Sequence, residues 1–190
     1  MNYIYIKIIR ILLYFLFAFF TYIISLYNYI LFQQNKVKNA YSSLDVMLKK
    51  RYDLIPNLVA VVKQYTKHEN QVLKSLVELR EQLLKSSSPS EIAERNADLN
   101  NNLNQILLRI ENYPDLKASE QFLNLQNSLI DVENHISAAR RTYNAHVTRY
   151  NNIIGVFPNN FFASAFKFKR MKWFEFEERK DIKVDFDEDK

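Results

Sequence analysis

Cysteine is absent from this 190-residue chain, glycine occurs once and proline four times. The lack of cysteine excludes disulfides, thiolate metal sites and cysteine nucleophiles. So few helix breakers exclude a turn-rich all-β fold, which needs glycine and proline at many corners. Acids are missing too from the beginning of the chain, where none precedes Asp45. Across the whole chain 26 basic residues face 21 acidic ones, a net charge of +5. With Lys7 and Arg10 set aside, 24 bases against 21 acids leave the rest at +3. That balance predicts a solvated surface of mixed sign and no nucleic-acid partner, since nucleic-acid binding calls for a concentrated basic face.

Charge is also missing from the 22 residues Ile11 to Phe32, ILLYFLFAFFTYIISLYNYILF. At about 1.5 Å per residue they make roughly 33 Å of helix, enough to cross about 30 Å of hydrocarbon with every backbone amide satisfied internally. Tyr22, Tyr27 and Tyr29 sit near one end, as interfacial aromatics do. A cleaved signal peptide would have a shorter apolar core and small residues at the cut, whereas Tyr, Asn, Leu and Phe fill the far end here. An uncleaved transmembrane helix is therefore expected at 11–32, in contact with the lipid bilayer. Lys7 and Arg10 flank it on one side, and Lys36, Lys38, Lys49, Lys50 and Arg51 follow on the other. Counting bases near the span predicts an outside N-terminus and a cytoplasmic C-terminal domain in a single-pass cell-membrane protein.

Beyond the span the apolar spacing stays helical. Val37, Ala40, Leu44 and Met47 carry the first helix to about Lys50 or Arg51. Pro56, with Asp53 three residues before it as N-cap, predicts the start of a second helix of about 30 residues. Its stripe is Ile55, Leu58, Val62, Tyr65, Glu69, Val72, Leu76, Leu79 and Leu83, apolar or aromatic except at Glu69. Ser86-Ser87-Ser88-Pro89-Ser90 predicts a loop and then a third helix on Ile92, Asn96, Leu99, Leu103, Ile106 and Ile110. Tyr113-Pro114-Asp115 marks another turn. The fourth and longest helix buries Phe122, Leu125, Leu129, Val132, Ile136, Ala139, Tyr143 and Tyr150, and ends near Gly155. Short loops between long helices make antiparallel neighbours, so the predicted fold is all-α. An N-terminal flank (1–10) and transmembrane helix (11–32) lead into an up-down antiparallel four-helix bundle (33–157). An aromatic-basic segment with an acidic C-terminal tail completes the chain (158–190). Ile182, Val184 and Phe186 alternate with charged residues as an extended segment would. A return helix of about 30 residues, roughly 45 Å, would push Lys74, Glu78 and Arg80 into lipid unless the first helix bends at Gln33-Gln34-Asn35-Lys36.

The run Asp45-Val46-Met47-Leu48-Lys49-Lys50-Arg51-Tyr52-Asp53-Leu54-Ile55-Pro56-Asn57-Leu58-Val59 resembles the signature of the LemA family. His68-Glu69, Ala138-Ala139-Arg140-Arg141-Thr142-Tyr143-Asn144, Tyr150-Asn151 and Phe157-Pro158 extend the resemblance in order over about residues 28–175. The motif residues are Asp45, Arg51, Asp53, Pro56, Asn57, His68, Glu69, Arg140, Arg141, Tyr143, Asn144, Tyr150, Asn151, Phe157 and Pro158. The resemblance implies a membrane helix with a small external N-terminus and a cytoplasmic helical bundle. It supplies no reaction, and family association suggests an accessory to a membrane protease only as a weaker alternative.

The residues point to no catalytic site and no cofactor. His68-Glu69 would need a second histidine at Val72 to form a zinc-protease motif. A di-iron bundle needs Glu-x-x-His pairs, whereas Glu133 and His135 are mis-spaced and His146 has Tyr143 three before it. Glu69, on an apolar stripe, needs a cationic partner. Arg140 or Arg141 matches its height best, with Lys50 and Arg51 as alternatives. Asp45, Arg51, Asp53 and Asn57 gather at the predicted first turn, where capping is favoured over partner docking. Tyr143 and Tyr150, seven residues apart, are expected in the core with hydroxyl partners. Phe161, Phe162, Phe166, Lys167, Lys169, Arg170, Lys172 and Trp173 suit an anionic membrane interface or a cap on the open end of the bundle. The favoured function is a non-enzymatic scaffold or adaptor at the inner face of the membrane, with an unidentified protein partner. A lipid-interacting or envelope-remodelling factor is the alternative.

Overall fold

The computed structural model describes residues 2–65, 70–86 and 89–174. Every regular element among them is a helix: α1 Asn2–Tyr65, α2 Asn70–Lys85, α3 Pro89–Ile110, α4 Pro114–Lys117, α5 Glu120–Gly155 and α6 Asn159–Ala165. The all-α expectation holds, and α3 and α5 begin or end where Pro89 and Gly155 predict. At the Tyr113-Pro114 turn the Tyr113 amide donates to the Ile110 carbonyl at 2.9 Å, and Pro114 opens α4. The extended segment predicted at Ile182–Phe186 lies outside the described residues, as do His68 and Glu69.

The chain groups into two compact units. The first comprises Met1–Leu44 and Ala139–Trp173. Along its α1 part, residues 3–25 are exposed apart from half-buried Ile23. A buried stripe then begins abruptly: Leu26, Ile30, Gln33, Val37, Ala40 and Leu44, in steps of three and four. Tyr143, Val147, Tyr150 and Ile154 of α5 and Ala163 of α6 supply the rest of that unit's core. The second unit comprises Asp45–Ala138, with Phe174. Its core takes Leu48, Tyr52, Ile55, Leu58 and Val62 from α1, and Leu73, Leu76 and Leu83 from α2. The predicted stripe of α3 is buried in full from Ile92 to Ile110, Asn96 included, and α5 adds Phe122, Leu125 and Ile136. Leu129 and Val132, expected on the same inner face, are half-buried.

One boundary departs from expectation. The sequence predicts a break near Arg51 and a new helix at Pro56, yet α1 runs on to Tyr65 with Pro56 inside it. Proline has no amide hydrogen, so the carbonyl four residues earlier, that of Tyr52, loses its helical donor. Arg80 of α2 replaces it, its Nε–H donating to the Tyr52 carbonyl at 2.9 Å. The Pro56 ring is exposed, where it displaces no core side chain. Asp53 is therefore not an N-cap but an exposed carboxylate 3.8 Å from the Arg80 guanidinium. The next described helix is the 16-residue α2, about 24 Å long instead of 45 Å. The length argument for a bend at Gln33–Lys36 no longer applies, and α1 is helical throughout that stretch.

Arg80→Ala is expected to cost about 1–3 kcal/mol, the value of a charge-assisted bond to a part-buried carbonyl. In a Pro56→Ala background the amide gained at position 56 restores the helical bond, so the same substitution should cost much less. Urea unfolding of the four proteins in a double-mutant cycle measures that coupling.

Candidate functional site

Two constellations gather part of the residues that the sequence singles out. In the second unit the Arg51 side chain is only 2% exposed, although it sits on a helix otherwise lined there by apolar residues. Its Nη2 donates to Asn100 Oδ1 of α3, and its Nη1 lies 3.1 Å from Glu133 Oε2 of α5 as an ion pair without hydrogen-bond alignment. Burial pushes the Arg51 pKa down, and the Glu133 carboxylate opposes that shift. One residue on, the Tyr52 hydroxyl accepts from Asn96 Nδ2 at 2.7 Å, and the same amide also donates to the Ile92 carbonyl at 2.7 Å. With Arg80 on the Tyr52 carbonyl, neighbouring α1 residues are held by polar groups from α2, α3 and α5. Burial at this density suits a device that fixes helix register.

The expected gathering of Asp45, Arg51, Asp53 and Asn57 at a turn does not occur, because all four lie within α1 and face different partners. Asp45 pairs with Lys49 one turn later at 2.9 Å, a hydrogen bond and charge that raise the Lys49 pKa. Asn57 is exposed. Glu133, weighed in the sequence only as half of a failed di-iron pair, is the carboxylate that Arg51 uses. Asn96 is legible in the sequence as the one polar residue on the third stripe, whereas Asn100 lies off that stripe. Nothing in the local sequence pointed to Arg80.

In the first unit the Tyr-Asn repeat of α5 clasps the chain that follows α6. The Tyr143 hydroxyl donates to the Lys172 carbonyl at 3.0 Å, and the Tyr150 hydroxyl donates to the Lys169 carbonyl at 3.1 Å. Asn151 makes a two-point contact with Met171, donating to its carbonyl at 2.8 Å and accepting from its amide at 2.9 Å. The Trp173 indole donates to Thr148 Oγ1 at 2.9 Å. Both tyrosines are thus core residues with hydroxyl partners, as expected, and burial pushes both phenol pKa values up. Asn144 and Arg140 are half-buried, and Arg141 is exposed.

α6 begins after Pro158 and ends in a Schellman cap. The Phe168 amide donates to the Ala163 carbonyl and the Lys167 amide to that of Ser164, with Lys167 in the left-handed region at φ 60°. This turn lays the aromatics of the segment against α1. Phe162 meets Tyr22 edge-to-face at 6.5 Å, and Phe166 and Phe168 meet Tyr27 at 5.1 and 5.6 Å. Phe157, at 86% exposed, and Phe161, at 70%, stay uncovered. Lys167, Lys169, Arg170 and Lys172 are exposed beside them, and Trp173 is 47% exposed.

Two measurements follow from these geometries. Glu133→Ala strands a buried cation and should cost about 2–3 kcal/mol, most of it recovered by adding Arg51→Met, as urea titrations would register. The tyrosines give the alkaline limit: a phenol whose folded pKa lies above its ordinary value of 10.0 stabilises fully below that pH. That contribution is lost as pH rises from the unfolded toward the folded pKa, so melting temperature should fall above pH 10. Tyr143→Phe with Tyr150→Phe should flatten the fall while lowering stability at neutral pH.

The LemA family profile matches residues 40–186. Protein LemA of Metamycoplasma hominis is 27% identical over 165 residues, covering 85% of this chain and 74% of that protein. Magnetosome protein MamQ of Magnetospirillum gryphiswaldense is 24% identical over 183 residues, covering 83% of this chain and 67% of its own. Magnetosome protein MamQ 2 of Paramagnetospirillum magneticum is similar to the same degree, 24% over 184 residues. The profile match spans most of the chain and takes in both the Arg51 network and the tyrosine clasp, and on that ground the chain belongs to the LemA family.

Proposed function

We propose that this protein is a non-enzymatic scaffold or adaptor held at the inner face of the cell membrane by the N-terminal part of α1. The observation that carries the reading is α1 itself. Its uncharged stretch Ile11–Ser25 contains not one buried residue. A surface so apolar and so extended is stable in lipid and aggregates in water. The same helix supplies core residues from Leu26 to Val62, so the anchor and the folded chain share one element. We read the long segments of α1, α2, α3 and α5 as an up-down four-helix bundle, with the short N-terminus outside and the bundle cytoplasmic. The greater number of Lys and Arg residues after the span supports that orientation. The adaptor surface would be built on the second unit, where Leu108 (67%) and Ile130 (52%) are exposed. A second reading, a lipid-interacting or envelope-remodelling factor, is favoured by the exposure of Phe157 and Phe161.

Alkaline carbonate should leave the full-length protein in the membrane pellet, and its release would overturn the anchor. With photocrosslinking residues placed singly at positions 108, 130 and 161 in native membranes, those at 108 and 130 should capture the same protein repeatedly, and Leu108→Lys should abolish capture from position 130. Adducts to lipid alone, formed only from position 161, would support the second reading and overturn the adaptor.

A further inference from the structure

We propose that the first unit is itself a lipid-docking module. The hydrocarbon edge would lie at Tyr22–Tyr27 instead of at the end of the apolar run, with α6 in the anionic headgroup region and Phe157 and Phe161 inserted. The proposal rests on reading α1 as the membrane anchor. It starts from the change in exposure along that helix. Residues 3–25 are exposed on every face apart from half-buried Ile23, whereas from Leu26 onward one face is covered by protein, with Ile30 fully buried. Leu26 to Phe32 are apolar because they belong to a protein core, which hydropathy cannot tell from a membrane span.

The aromatic contacts locate α6 along the same helix. If hydrocarbon reached Phe32, the Tyr22–Phe162 pair would lie about 15 Å below its edge and Tyr27 with Phe166 and Phe168 about 8 Å below. Lys167 lies between Phe166 and Phe168 in sequence and is exposed, so it would enter the hydrocarbon with them. Charge at that depth is strongly disfavoured. With the edge at Tyr22–Tyr27 Lys167 stays in the headgroup region, and the charges left within the span are Lys7 and Arg10. The 23 residues from Tyr3 to Ser25 still give about 35 Å of helix, sufficient for the crossing. Lys7 and Arg10 then fall within about 10 Å of its outer end, where long side chains reach the opposite headgroups. Tyr22 and Tyr27 become interfacial aromatics.

Charge names the lipid. The first acid in the chain is Asp45, and none occurs between Glu133 and Glu175. The two acid-free stretches are brought together in the first unit, so Met1–Leu44 with Ala139–Trp173 carries 11 Lys and Arg and no carboxylate. The remaining 15 bases share the rest of the chain with all 21 acids. A unit that is cationic throughout, with exposed phenylalanines beside an uncovered apolar helix, fits an anionic bilayer surface.

Because the chain has no cysteine, single introduced cysteines report depth directly. Full-length Leu16→Cys, Tyr29→Cys and Phe32→Cys proteins would be placed in phosphatidylcholine–phosphatidylglycerol nanodiscs, whose two faces are both open to a charged maleimide. Tyr29 and Phe32 are 44% and 56% exposed, so they should label at least about tenfold faster than Leu16, which hydrocarbon shields. Protection of positions 29 and 32 equal to that of 16 would overturn the proposed edge and leave the anchor intact. Labelling of position 16 as fast as Lys49→Cys would overturn the anchor as well. A Trp173→Phe, Phe161→Trp protein, with its single tryptophan in α6, should be quenched by lipid brominated near the top of the acyl chain. The quenching should weaken when phosphatidylglycerol is removed. No quenching in either lipid would overturn insertion of α6 and assign the exposed phenylalanines to a protein surface.

Discussion

The Tyr52 carbonyl is the point on which the second unit turns. Pro56 takes away its helical donor, and a helix with a buried, unsatisfied carbonyl would end there. Arg80 makes the missing bond from another helix. The consequence is topological: α1 continues for nine residues past the proline, to Tyr65, and α2 is half its predicted length. The next residues of the network follow from the same placement. With α1 unbroken, Arg51 and Tyr52 remain on a helix that faces α3 and α5, where Asn96, Asn100 and Glu133 meet them. Arg51, a motif residue expected at a capped turn, is instead a polar pin between helices.

The first unit obeys a different constraint, the satisfaction of a chain segment without secondary structure. Residues 166–174, after α6, form no ladder of their own, so their backbone groups need partners. Tyr143, Tyr150 and Asn151 recur on one face of α5 and provide them at Lys172, Lys169 and Met171. Lys169, Arg170 and Lys172 stay exposed along that stretch while the main chain is held. A basic surface is thus built from a segment too short to fold alone, on a helix whose own inner face is tyrosine and asparagine. The clasp and the Schellman turn at Lys167 together fix where Phe162, Phe166 and Phe168 meet α1.

Helix content, the positions of Pro89, Pro114 and Gly155 as boundaries, and the core stripe of α3 were legible because each depends on residues close in sequence. Spacing of three and four reports a helix whatever packs on it. Tyr143 and Tyr150 could be assigned to the core for the same reason. The carbonyls that they bind could not, since a hydroxyl partner 19 or 29 residues away leaves no local trace. Asn96 was visible as a polar residue on an apolar stripe, a pattern that announces a buried hydrogen bond without naming its partner.

By itself the sequence determined that this chain is helical and free of disulfides, that its N-terminal part is apolar enough to cross a membrane, and that its ordered motif blocks resemble the LemA family. These are properties of composition and periodicity, and short-range geometry suffices for them. Only tertiary structure decided that α1 passes through Pro56, that Arg51 is neutralised by Glu133, and that two acid-free stretches far apart in sequence form one cationic unit. Each of those depends on which distant groups meet, and a donor or a charge acts through space, not along the chain.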